Sequence, residues 1–194
     1  MKIFQIGFNR CGTRTIHGYL AANGLRSIHW DDGRLARRIF ANLANGDDLL
    51  AGYSYFDVFT DMEYLDDLNH LEAYKLFPYL AAQYPDAVFI LNTRDREDWI
   101  RSRLRFRKGG YAARYKRHLG IASDQKLADA WREEWDHHHR RAVEFFETKP
   151  HRFFVCRIET DLPDLLNEKI PEIALNPALY RVEGRGPVES GSQQ

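Results

Sequence analysis

Gly7 and Gly12 bracket four residues in Gly7-Phe8-Asn9-Arg10-Cys11-Gly12, and Thr13-Arg14-Thr15 follow directly. Such a loop lets backbone N–H groups converge on a phosphate at a helix N-terminus, where the helix dipole favours anions. The nucleotide-hydrolysing version continues Gly-Lys-Ser/Thr, the lysine reaching the terminal phosphates and the hydroxyl holding magnesium. Thr13 stands at the lysine position, so as a magnesium-nucleotide site this loop is defective. Further along, Arg94 and Ser102 are spaced as Arg-x7-Ser, which carries almost no signal by itself, although a guanidinium fork and a hydroxyl on a helix can share one phosphate. Asp61, His29 and Glu63 are groups that could serve as a general base, but Asp61, directly after Thr60, could instead N-cap a following helix, and His29 could equally be an ordinary loop histidine. Cys11 at a helix N-terminus should have a lowered thiol pKa, but with no base partner evident it reads as a small loop residue. His137-His138-His139 looks like a metal tract, yet successive helical side chains point about 100° apart and cannot converge on one ion. The only other cysteine, Cys156, leaves no zinc-ligand spacing.

The elements that must carry these residues alternate. Residues 2–6 read as a short strand running into the glycine loop, followed by a helix through Ile16, Tyr19 and Leu20 that stops at Asn23-Gly24. Asp31 or Asp32 can cap a second helix with the stripe Leu35, Ala36, Ile39, Phe40 and Leu43, ending near Gly46. Residues 53–60 are aromatic and β-branched, predicting a core strand, and 65–83 predict a long helical region bent or interrupted near Pro78. An apolar run at 87–92 is short enough to be a strand buried on both faces. A helix beginning at 94–98 turns Trp99 and Leu104 inward and breaks at Gly109-Gly110. The longest helix is expected over 124–148, with Leu127, Trp131, Trp135, Ala142, Phe145 and His138 on one face. A strand at 153–156 and a helix at 162–166 complete the pattern, which predicts an α/β fold with a mainly parallel sheet.

With 194 residues, 44% hydrophobic and 29% charged, the chain has the composition of one globular domain, expected over 1–181 with a flexible tail at 182–194. Lys plus Arg and Asp plus Glu are both 28, so net charge offers no case for nucleic acid or a membrane surface. Charge is segregated locally, however. Residues 39–74 hold eight acids and no Lys or Arg, while 101–117 hold eight bases and no acid. Either an anion docks on the basic segment or the acidic one offsets it after folding. No signal-peptide pattern or membrane span is seen, so a soluble, cytoplasmic protein is expected.

Residues 7–15 resemble the 5′-phosphosulfate loop of sulfotransferases that use 3′-phosphoadenosine 5′-phosphosulfate (PAPS) and release 3′-phosphoadenosine 5′-phosphate (PAP). The resemblance assigns Arg10 to the transferred sulfuryl group and Gly12, Thr13, Arg14 and Thr15 to the 5′-phosphate. It also makes Asp61 the candidate general base ahead of His29 and Glu63, since family members place a catalytic His or acid at the end of the second strand. Phe89 through Ser102 resemble the family's 3′-phosphate motif, a strand ending in Arg-Asp-Pro with a Ser eight residues after the Arg; Arg94 and Ser102 match, and Arg96 replaces the Pro. The resemblance covers about the first 105 residues well and 131–158 more loosely. It implies a P-loop-type three-layer α/β/α fold and PAPS as co-substrate with no metal. The acceptor would be a small-molecule or glycan hydroxyl or amine. Arg107-Lys108-Gly109 has the flavour of the Gly-rich segment that closes over the nucleotide, but in the wrong position. The alternatives are a small nucleotide kinase with a degenerate loop and a non-catalytic nucleotide-binding relative.

Overall fold

The computed structural model describes residues 1–184, and its main element is a sheet of five parallel strands. β1 (Ile3–Gln5) is central. β3 (Val58–Thr60) and the edge strand β2 (Ser27–His29) lie on one side, β6 (Val88–Thr93) and β7 (Arg152–Arg157) on the other. Ile3 is in register with Val58 and Val88, and Phe4 with Phe59 and Phe89. Because successive strand residues face opposite ways, the valine row and the phenylalanine row each face their own helical layer. The first packs against α1 (Thr13–Ala22) through Ile16, Tyr19 and Leu20, and against Leu166 of α7 (Asp164–Lys169). The second, in which Phe4 stacks on Phe59 at 5.2 Å and Phe89 at 5.4 Å, packs against α2 (Arg34–Asn45), α3 (Phe77–Gln83), α4 (Arg96–Arg105) and α6 (Asp124–Glu147). The fold is the expected three-layer α/β/α arrangement.

α6 begins at Ser123, whose hydroxyl accepts the Lys126 N–H at 3.2 Å, and buries Leu127, Trp131, Trp135, His138 and Ala142. Phe146 rather than Phe145 completes that buried face. α4 ends at Arg105, ahead of the expected break at Gly109-Gly110, because Phe106 is extended and Arg107 and Lys108 are left-handed; α5 (Gly110–Leu119) starts at the second glycine.

Several expectations give way. The strand expected over 53–60 is reduced to β3, because the chain turns at Tyr53 and Phe56, whose N–H groups bond Leu50 and Tyr53 carbonyls. The expected helix over 65–83 is replaced at its start by an antiparallel hairpin of β4 (Glu63–Leu65) and β5 (His70–Glu72). Asp66 dictates this, its carboxylate accepting the N–H groups of Leu68 at 2.8 Å and Asn69 at 2.6 Å in a turn that competes with helix. The interruption expected near Pro78 is found: a 3-10 turn at Ala73–Leu76 gives way to α3, and Pro78 occupies the first turn of α3, where its missing N–H costs nothing. Gly33, not Asp31 or Asp32, caps α2, and Asp61 leads into β4 instead of capping a helix. His29 lies on β2, not in a loop.

From β1 the chain crosses to β2, returns to β3, and then moves to β6 on the opposite side of β1. Connections therefore diverge at the C-terminal end of β1, opening a crevice where ligands of such sheets bind. Among the described residues no helix is long and apolar enough to cross a membrane.

Candidate active site

Two buried amides shape the crevice. Gln5, at the end of β1, donates to the Gly7 carbonyl at 2.6 Å and to the Asn92 side-chain oxygen, and accepts the Asp61 N–H at 2.9 Å. Asn92, on β6, accepts the Gly7 N–H at 3.0 Å and donates to the Cys11 carbonyl at 2.6 Å. Gly7 is required by this approach, since a Cβ there would lie 2.1 Å from the Asn92 carbonyl oxygen. Gly12 is required by conformation and space together, with φ of 71° and Ile158 2.9 Å from any Cβ. The loop delivers α1 with no side-chain cap and no acid in its first turn, leaving its leading N–H groups for a ligand.

Both sequence motifs meet at Arg10. Its Nε donates to Ser102 Oγ at 3.0 Å, and Arg94 Nη1 donates to the Arg10 carbonyl at 3.2 Å. The Arg10 guanidinium lies over the Phe106 ring at 4.6 Å. Burial, then the charges of Arg94 and Arg14, hold the Arg10 pKa below its usual value against the pull of Asp61. Arg94 Nε is buried without a hydrogen bond, although the Glu159 carboxylate lies 3.3 Å away as an ion pair. Crowded cations and an orphaned donor are what an anion would relieve.

The remaining loop residues divide. Thr13 is buried at the head of α1. Arg14 points to solvent, 3.9 Å from Glu183, and the Thr15 hydroxyl is engaged by the backbone of Glu183, accepting its N–H at 3.0 Å. Glu183 belongs to the expected tail, of which 185–194 lie outside the described residues. Burial pushes the Cys11 thiol up, correcting the expectation of a lowered pKa.

Asp61 follows β3 in a left-handed conformation, φ 53°, with about a fifth of its side chain open to solvent. Burial, reinforced by Glu63, raises its carboxyl to about 7, while Arg103, Arg10 and Arg107 pull the other way. His29 Nε2 lies 3.5 Å from its Oδ2. Thr60 gives its hydroxyl proton to the Ile28 carbonyl at 3.2 Å and so accepts from His29 Nδ1 at 2.9 Å, which leaves the Nε2 lone pair facing Asp61. Burial, then His17 and Arg14, lower His29 to about 4, so it is neutral at pH 7.

Glu63 does not face the crevice. It accepts from Tyr115 at 2.9 Å, from Tyr111 at 2.7 Å and from Asn9, with His70 3.2 Å away. Burial alone would raise its pKa, but the His70 hydrogen bond and the Arg103 charge outweigh that and hold it down. Arg103 is fully buried among Trp99, Trp131, Tyr111 and Tyr115, and its Nε donates to Asn9 Oδ1 at 3.1 Å. One member of the basic segment is therefore internal, tying α4 to the glycine loop. Glu63, His70 and Glu72 are close enough to share a cation, but Arg103 already lies 3.6 Å from Glu63 and Lys75 2.6 Å from Glu72. His138 and His139 diverge as expected, to the Ile6 carbonyl and the Thr93 hydroxyl.

Sequence reasoning missed Gln5, Asn9, Asn92 and the buried Arg103–Glu63 network. The available signals were a lone amide inside an apolar strand and the Trp99–Arg103 spacing, which puts both on one helix face. Backbone strain also marks the site. Among the described residues eight non-glycines have positive φ, and seven of them follow β1, β2 or β3 or form the 106–109 turn: Arg10, Trp30, Asp31, Asp32, Asp61, Arg107 and Lys108. Each costs about 1–2 kcal/mol.

The family model of the sulfotransferase domain matches residues 2–169. No curated protein matches the chain.

Proposed function

This chain belongs to the sulfotransferase domain family, and from that membership we propose that it transfers a sulfuryl group from PAPS to a hydroxyl or amine of a small-molecule or glycan acceptor. The observation that best supports the reading is the convergence of Arg94 and Ser102 on Arg10 beside the uncapped start of α1. A nucleotide bearing both a 5′-phosphosulfate and a 3′-phosphate presents anions to two neighbouring cationic groups, which a simple nucleotide does not.

PAPS supplies the sulfuryl group. Arg94, with its orphaned Nε, and Ser102 would hold the 3′-phosphate. Gly12 and Thr13 would present N–H donors to the 5′-phosphate, and Arg10 would offset charge on the oxygen that leaves. Arg14 and Thr15 have the weaker claim, since both face Glu183. In the transfer the acceptor oxygen bonds to sulfur, the bond from sulfur to the 5′-phosphate oxygen breaks with its electron pair, and the acceptor proton passes to Asp61. Positioning and electrostatics carry such a reaction, as in phosphoryl transfer. A carboxyl with a pKa near 7 is matched to accepting that proton, and the Nε2 lone pair of neutral His29 would accept a hydrogen bond from Asp61 once it is protonated.

Calorimetric titration with PAP, ADP, and ATP with magnesium tests the reading. Micromolar PAP binding with much weaker ADP and ATP binding is expected. A preference for magnesium-ATP would turn it into a kinase, and PAP binding without turnover on any acceptor into a non-catalytic relative.

A further inference from the structure

Beside the crevice, past Arg107, lies a second cationic site. Arg107, Arg114 and Arg117 line an open pocket of about 360 Å³ whose remaining lining is Gly110 and Ala113. Gly110, Ala113, Arg114 and Arg117 all belong to α5, and their spacing sets the small pair and the two arginines along one helix face. Where small residues stand, a ligand can approach the backbone; where arginines stand, it meets planar, permanently charged donors suited to carboxylate or sulfate.

Two observations give this pocket a ligand and a direction. Asp67, on the exposed turn of the β4–β5 hairpin, reaches over to Arg117 and lies 3.7 Å from Arg114, so both guanidiniums already converge on one carboxylate. That acid is the only one among the described residues paired to these two arginines, so two positive charges share one negative charge while Arg107 lines the same pocket without an ion-pair partner among the described residues. Arg107 then links the pocket to the chemistry. Its guanidinium lies 5.1 Å from the Trp30 ring and 5.5 Å from the Phe106 ring, the same ring that carries Arg10, and its charge is felt by Asp61.

We propose that Arg107, Arg114 and Arg117 form the anion subsite of the acceptor pocket, so that the acceptor is a hydroxyl or amine compound bearing a carboxylate or sulfate, with Asp67 occupying the place of that group when no acceptor is bound. This rests on the sulfotransferase reading for the word acceptor, but the pocket's anion binding stands by itself. Arg103, although part of the same basic segment, takes no part, because it is buried on Glu63.

The test titrates the PAP-loaded protein with a heparin-derived tetrasaccharide and with neutral chitotetraose. The wild type should bind the first and not the second. The R114A/R117A double variant should bind the anionic probe at least about tenfold more weakly, and D67N, which frees both arginines, about threefold more tightly. PAP affinity should be the same in all three proteins. Absence of anionic binding, or equal binding by wild type and R114A/R117A, overturns the inference. So does a loss of PAP affinity in R114A/R117A, which would assign the pocket to the nucleotide. If the wild type does not bind PAP at all, the sulfotransferase reading fails, and the same titration without PAP still decides whether these arginines bind an anion.

Discussion

Replacing Asp61 with asparagine separates what this residue does in the reaction from what it costs the fold. The carboxyl moves from an ordinary value of 3.8 to about 7 in the folded chain, chiefly through burial. Each step of one on that scale is worth about 1.4 kcal/mol, so ionised Asp61 costs the native state at most about 4 kcal/mol. The folded value lies above the unfolded one, so between these two pH values the native state holds a proton that the unfolded chain has released. Stability therefore falls as pH rises from about 4 to about 7 and stays at the lower level above that. The Asp61→Asn side chain keeps the shape without the charge. At pH 3, below both values, the variant and wild type should unfold at nearly the same temperature. At pH 8, allowing relaxation to halve the cost, the variant should gain about 2 kcal/mol, or about 4–8 °C for a chain of this size. Turnover should drop by about a hundredfold or more, while PAP affinity is kept. Thermal unfolding at the two pH values, PAP calorimetry and a transfer assay read all three quantities. A gain of the same size at pH 3 and pH 8, or wild-type turnover by the variant, would refute the reasoning.

Other perturbations have equally definite outcomes. Arg94→Ala removes the partly buried guanidinium whose Nε lacks a hydrogen bond, and calorimetry should show PAP binding weakened by about ten- to a hundredfold, with unfolding temperature little changed. Gly7→Ala drives a Cβ to within 2.1 Å of the Asn92 carbonyl oxygen, and denaturant titration should report a loss of several kcal/mol or no folded protein. Arg103→Leu leaves Glu63 buried without its cation and should cost about 3–5 kcal/mol by urea unfolding; adding Glu63→Gln should restore a large part, and a strictly additive double variant would contradict the coupling.

The legible parts of this protein were those with a local cause. Strand, glycine loop and helix follow from one another along residues 3–22, and the buried stripe of α6 is written in its spacing. Arg10 and Arg94 could be picked out because each follows a recognisable strand, and Ser102 because it lies eight residues after Arg94 on the next helix. The hairpin at 63–72 was hidden by leucines at helical spacing, though Leu68 is turned to solvent and Asp66 controls the turn. The Glu63–Arg103 pair was hidden for another reason. It joins residues forty positions apart, and nothing local distinguishes a buried arginine from its exposed neighbours 101 and 105. The segregated charge was half explained by folding. Part of the acidic segment does meet the basic one, at Glu63 and Asp67, and the rest of the basic segment is left facing outward.

The seven left-handed non-glycine residues set selection for folding against selection for chemistry. Glycine would relax the backbone at each of them. A library screened only for survival at high temperature should therefore drift toward glycine at Trp30, Asp61 and Arg107, stripping from the mouth the ring, the carboxyl and the guanidinium that meet there. A library screened for transfer should hold those side chains and recover its lost stability at distant positions.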